Sequence, residues 1–111
     1  MDAKPSEVQI FELADGTMPW SVWMDSLEGD PIYGIILTRI DRVEKGLFGD
    51  CGPVGGGVNE LRIHEGPGYR VYYGNLANEI VILLGGGTKK TQAADITAAK
   101  EYWRQFNASE R

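Results

Sequence analysis

Between positions 62 and 73 the chain places two arginines, its one histidine and two adjacent tyrosines on what reads as a single hairpin. Arg62 and His64 fall on the first strand, a Gly-Pro-Gly turn follows, and Arg70, Tyr72 and Tyr73 lie on the second. Strand side chains alternate, so if Asn59, Leu61 and Ile63 share one face, Arg62 and His64 share the other. A guanidinium grips phosphate through paired N–H bonds. Imidazole is the side chain that ordinarily titrates near neutrality, so His64 could move a proton as base or acid. A phenol ring could stack a base or position a proton. Lys89 and Lys90, just after a later apolar run, could reach a nucleic-acid backbone from the side. Such a face suits RNA. Cleaving RNA without a metal requires activating a 2′-hydroxyl, stabilising charge on phosphorus and protonating the leaving 5′-oxygen.

Each residue also has a plainer reading. His64 could be a cross-strand surface residue, Arg70 could pair with Glu65 across the turn, and Lys89 and Lys90 could be solvated loop charges. Trp20, Trp23 and Trp103 suit a core or a partner contact better than a base platform. Cys51 reads as a small filler, because no acid/base pair is spaced around it. Gly55-Gly56-Gly57 and Gly85-Gly86-Gly87 lack the Lys-Ser/Thr ending of a phosphate loop and read as tight turns.

The elements that would position these residues must fit in 111 residues, enough for one domain over positions 1–111 with a single core. A hydrophobic share of 42% excludes a disordered chain. No apolar run is long enough to span a membrane, and the N-terminus lacks a signal-peptide layout, so a cytoplasmic protein is expected. One cysteine rules out an internal disulfide and a multi-cysteine metal site. The net charge of −5 opposes non-specific attraction to nucleic acid. Acids crowd the first half (Asp2, Glu7, Glu12, Asp15, Asp25, Glu28, Asp30), whereas Arg62, Arg70, Lys89 and Lys90 outnumber Glu65 and Glu79 later. The cationic feature is local.

Val8 to Leu13 reads as an opening strand. Pro19, Trp20, Trp23, Met24 and Leu27 have helical spacing. Gly29-Asp30-Pro31 breaks that helix, with Asp30 capping a second and Pro31 at its first position. The second helix carries Ile32, Ile36, Leu37, Ile40 and Val43 on one side, leaves Arg39, Asp41 and Arg42 solvated, and stops at Gly46. The two are expected to form an antiparallel hairpin. Asn59–Glu65, Gly68–Gly74 and Glu79–Leu84 read as strands, the last covered on both faces and ended by the glycines at 85–87. Thr88 or Thr91 would cap a final helix bearing Ile96, Ala99, Trp103 and Phe106. The expected class is α+β: two helices from the first half packed on a twisted, mainly antiparallel four-stranded sheet, in the order β-α-α-β-β-β-α.

The runs RIDRVEKGLFGD (39–50), PVGGGVNELRIHEGPGYRVYY (53–73) and IVILLGGGTKKTQAADI (80–96) resemble the addiction-module killer-protein branch of the RelE/HigB toxin superfamily. The likeness runs from the first strand to the last helix. It implies a compact bacterial RNase fold and a toxin of a type II toxin–antitoxin module. It further implies metal-independent, cofactor-free cleavage of messenger RNA on translating ribosomes, growth arrest, and neutralisation by a helix-turn-helix, HigA-like antitoxin.

By that resemblance Arg70 matches the GYR arginine and would stabilise the transition-state phosphate. Arg62 would clamp the same or the next phosphate, and Lys89 matches the GGxK lysine. His64 or Tyr72 would assist proton transfer, while Lys90, Tyr73 and Arg62 would hold RNA. The tryptophans then become candidates for antitoxin contact. The chain departs from the family pattern at Gly52, where lysine is common, and at Thr88, where aspartate is common. The same features also fit a non-catalytic module that binds the antitoxin and tunes operon repression.

Overall fold

The computed structural model describes residues 4–109. Asp2 and the two ends of the 1–111 domain span lie outside the described residues. In chain order the elements are β1 (Glu7–Ile10), α1 (Pro19–Ser26), α2 (Ile32–Glu44), β2 (Cys51–Gly55), β3 (Val58–Ile63), β4 (Tyr69–Leu76) and β5 (Ile80–Thr88). A single 3₁₀ turn, Lys89–Thr91, leads into α3 (Gln92–Ser109). The strands form one sheet in the order β1-β5-β4-β3-β2. β1 runs parallel to β5, and every other pair is antiparallel. The class is α+β.

Three expectations change. The sheet has five strands, not four, so the order is β-α-α-β-β-β-β-α. The added strand, β2, has the sequence CGPVG, which offers no apolar alternation to read. It pairs only with β3, and such an edge is where a strand tolerates proline. Glycines 55–57 all have positive φ and turn the chain straight back into β3. The first strand ends at Ile10 and does not reach Leu13, and α2 begins at Ile32, where Asp30 Oδ1 accepts the Ile32 N–H at 2.9 Å.

The second change is in the layers. Trp20 and Met24 of α1 and Ile32, Ile36, Ile40 and Val43 of α2 pack with Leu61, Ile63, Val71, Tyr73, Val81 and Leu83 on one sheet face. Ala99 and Trp103 of α3 pack with Val58, Tyr72, Ile82, Leu84 and Phe11 on the opposite face. The sheet is therefore covered on both sides, and the final helix supplies the second layer. Burying both faces is what makes β4 and β5 near-continuous apolar runs.

The third change is the extent of β5, which runs through the glycines at 85–87 to Thr88. A bulge shifts its register against β4 between Tyr72/Gly85 and Tyr73/Leu83. Beyond it, a Cβ at Gly86 would lie 2.3 Å from the Trp23 ring of α1, and one at Gly87 would lie 1.9 Å from the Asp95 carboxylate of α3. These glycines admit helices from both faces; they do not stop the strand.

Candidate functional site

The antiparallel register of β3 and β4 sets Arg62 directly opposite Arg70. Both project to the α3 side of the sheet, because their neighbours Leu61, Ile63 and Val71 are buried against α1 and α2. Like charges directly opposite each other destabilise a sheet. Glu60, buried two residues before Arg62 on the same face, offsets this. Its Oε1 accepts from Arg62 Nε at 3.1 Å, while its Oε2 stands 3.8 Å from Arg70 Nε and accepts from Gln92 Nε2 of α3 at 3.1 Å. The plainer reading, in which Arg70 pairs with Glu65 across the turn, gives way to Glu60, because alternation carries Glu60 to the same face as the two arginines.

Arg70 is only 8% exposed. Its Nη1 donates to the Tyr69 carbonyl at 3.3 Å, and its buried Nε, 3.8 Å from Glu60 Oε2, has no hydrogen-bond partner among the described residues. Lys89 lies close by. Its N–H donates to the Gly68 carbonyl at 2.9 Å, and a Cβ on Gly68 would sit 3.6 Å from Lys89 Cβ and 3.7 Å from Arg70 Nη1. Lys89 and Lys90 are exposed and form no ion pair among the described residues.

Asp50, in the loop before β2, closes the outer edge of the site. Its Oδ1 accepts from Arg62 Nη1 at 2.9 Å, and its Oδ2 lies 2.6 Å from His64 Nε2. The His64 hydrogen bond, then Arg62, holds its carboxyl below the usual carboxylate range. Its backbone carbonyl accepts from Arg62 N–H at 2.9 Å and from Arg39 Nη2 at 2.8 Å. Arg39, expected to be solvated, is half-buried: it also donates to the carbonyls of Phe48 and Arg62, ending chain segments that leave their backbone acceptors free.

The tyrosines divide. Tyr72 faces the arginines but is fully buried, and its hydroxyl has no hydrogen-bond partner among the described residues. Burial, and then the charges of Glu60 and Asp95, push its phenol above the ordinary range. Tyr73 is a correction: it points to the α1/α2 face, packs against Phe48 at a centroid distance of 5.8 Å, and is 3% exposed. It cannot stack an RNA base, because a neighbour in the strand sends its side chain through the opposite side of the sheet.

The arrangement therefore brings Arg62, Arg70, Lys89 and Tyr72 to one end of one face, sets His64 just past the end of β3, where Asp50 joins it to Arg62, and leaves Tyr73 out. Three residues not singled out from the sequence belong to it: Asp50, Glu60 and Gln92. The alternation that joins Arg62 to His64 already places Glu60 beside them. Asp50 and Gln92 had no such signal, since they reach the site from an unread strand's approach and from the first residue of α3. Gly52 also points here: a Cβ at that position would lie 2.9 Å from Arg62 Nη2, so any side chain there would meet this cluster.

No family model matches the chain, and no solved structure matches it. Over 84 residues it is 45% identical to an uncharacterized protein of Haemophilus influenzae, an overlap that covers 76% of this chain and 85% of that relative. Identity of that level over that span places the chain in the same family as this Haemophilus influenzae protein.

Proposed function

We propose that the protein is the toxin of a type II toxin–antitoxin module, a cytoplasmic, metal-independent endoribonuclease of RelE/HigB type that cuts messenger RNA on the ribosome. The observation that carries this reading is the Arg62–Arg70 pair, two guanidiniums set opposite each other beside Lys89 and His64. A sheet built for stability alone has no use for that opposition. The Nε of Arg70, which meets Glu60 Oε2 only at 3.8 Å and forms no hydrogen bond among the described residues, is a buried donor that a phosphate oxygen would satisfy. In this reading Arg70 stabilises the charge that develops on phosphorus, Arg62 holds the substrate phosphate, Lys89 approaches the backbone and His64 transfers a proton. Phosphate would take over the arginines from Glu60. A helix-turn-helix antitoxin is the partner that would silence the site.

Primer extension on a reporter messenger RNA in a reconstituted translation system tests the reading, with wild type and Arg70→Ala. Ribosome-dependent cuts are expected from wild type, falling by roughly 10²-fold or more in the variant, as for other lost charge-stabilising donors. A variant that cuts at the wild-type rate overturns the role of Arg70.

One observation favours a second reading. Arg62 and Arg70 already face Asp50 and Glu60, and Gly52 supplies no additional cation. The protein would then be a non-catalytic module that binds the antitoxin and tunes operon repression. It is distinguished by a folded wild type that makes no cuts yet forms a stable complex with the helix-turn-helix protein.

A further inference from the structure

We infer that Asp50 is the positioning residue of a proton-transfer dyad in which His64 works through Nδ1. The inference rests on the nuclease reading above and adds to it the atom that moves the proton. Asp50 is held at both ends: its carbonyl by Arg62 N–H and Arg39 Nη2, its carboxylate by Arg62 Nη1 and His64 Nε2. An ionised carboxylate only accepts hydrogen bonds, so the 2.6 Å contact requires Nε2 to be the protonated nitrogen of the ring. In the neutral ring the lone pair is then left on Nδ1. The ring is 70% exposed in its side chain, so Nδ1 stays accessible to a substrate.

An open cleft of about 690 Å³ lies beside the dyad, and the charged groups around it are Arg39, Arg42, Asp50, Arg62, His64 and Glu65. Arg39 is committed to backbone carbonyls and Arg62 to two carboxylates. Asp50 is thus the acid aimed at the imidazole, and it would stabilise the imidazolium as the ring takes up a proton. In the step, Nδ1 takes the proton of the 2′-hydroxyl as the 2′-oxygen bonds phosphorus and the bond from phosphorus to the 5′-oxygen breaks. Water protonates the departing 5′-oxygen, and the imidazolium returns its proton to water. The products are a 2′,3′-cyclic phosphate and a 5′-hydroxyl.

His64 is the one histidine of the chain, so its ring signals need no assignment. Long-range ¹H–¹⁵N spectra of the full chain at alkaline pH are compared for wild type and Asp50→Ala, alongside single-turnover cleavage profiles that include His64→Gln. The expected wild-type ring is protonated at Nε2, and Asp50→Ala loses that preference. Asp50→Ala also lowers the cleavage rate roughly 10-fold or more, and His64→Gln lowers it at least as far. A ring whose protonation pattern ignores Asp50 overturns the inference whatever the activity. Full cleavage by Asp50→Ala overturns it and leaves the nuclease reading standing. A wild type with the Nε2–H signature that cuts no RNA overturns the nuclease reading, and the catalytic role of the dyad with it.

Discussion

Glu60 decides whether the two arginines can share one face. Its carboxylate touches Arg62, stands near Arg70 and is tied to α3 through Gln92, all while 4% exposed. Glu60→Gln keeps the shape and removes the charge, so the guanidiniums face each other without an anion between them. We expect a loss of about 2 kcal/mol, the scale of a hydrogen bond to a charged group, visible as a lower urea midpoint at unchanged slope. A midpoint equal to wild type would show that Glu60 does not screen the pair. Tyr72 and Tyr73 give a second prediction. Burial raises both phenols in the folded protein, while the unfolded chain ionises near pH 10. Their stabilisation is complete below that value and is lost as pH rises from the unfolded toward the folded pKa. Alkaline unfolding followed by circular dichroism should therefore coincide with late phenolate absorbance, and Tyr72→Phe/Tyr73→Phe should move it upward. Phenolates of these two residues forming in an intact fold would contradict this.

At the scale of elements, β5 is the strand on which both helical layers meet. Gly86 lets Trp23 of α1 lie flat on one face and Gly87 lets Asp95 of α3 approach the other. Gly86→Ala places a methyl group inside the Trp23 ring, and the remedy is movement of α1. Overpacking of this kind costs about 1–3 kcal/mol, equivalent to roughly 5–20 °C in Tm for a domain of this size. Differential scanning calorimetry reads it directly. Because the two residues share one contact, Gly86→Ala combined with Trp23→Leu should cost less than the sum of the single changes. Strict additivity would place the strain elsewhere. The same close approach fixes where α3 begins, and hence where Gln92 meets Glu60.

The whole molecule carries a charge of −5, so under the proposed reading affinity for RNA would have to come from the few cations gathered at one end of the sheet. If Arg62, Arg70, Lys89 and Lys90 each engage a phosphate, log Kd for single-stranded RNA should vary with log salt with a slope of magnitude about 3. Arg70→Ala should reduce that magnitude by about 0.7. Filter binding across a salt series measures both, and an unchanged slope in the variant would exclude Arg70 from phosphate contact.

Much was legible from residues alone. Alternation in ELRI placed Glu60 and Arg62 together, the Gly-Pro-Gly turn brought Arg70 back opposite Arg62, and the unbroken apolar run at 80–84 marked a strand covered on both faces. These follow from local rules, since strand parity and turn chemistry act over a few residues. His64, by contrast, lies just past the end of β3 and meets Arg62 through Asp50. β2 escaped because an edge strand of glycine and proline owes its form to the partner it pairs with, not to its own pattern. Tyr73 departs from expectation because alternation from Arg70 keeps Tyr72 on the arginine face and sends Tyr73 to the other, where the α1/α2 core claims it. Asp50 and Gln92 lie 14 residues before His64 and 32 residues after Glu60, separations at which only packing can create a hydrogen bond. The chain's own order determined the hairpin, its cations and Glu60 beside them; tertiary structure alone decided that Asp50 and Gln92 join the cluster, because those contacts link segments that meet only when both faces of the sheet are covered.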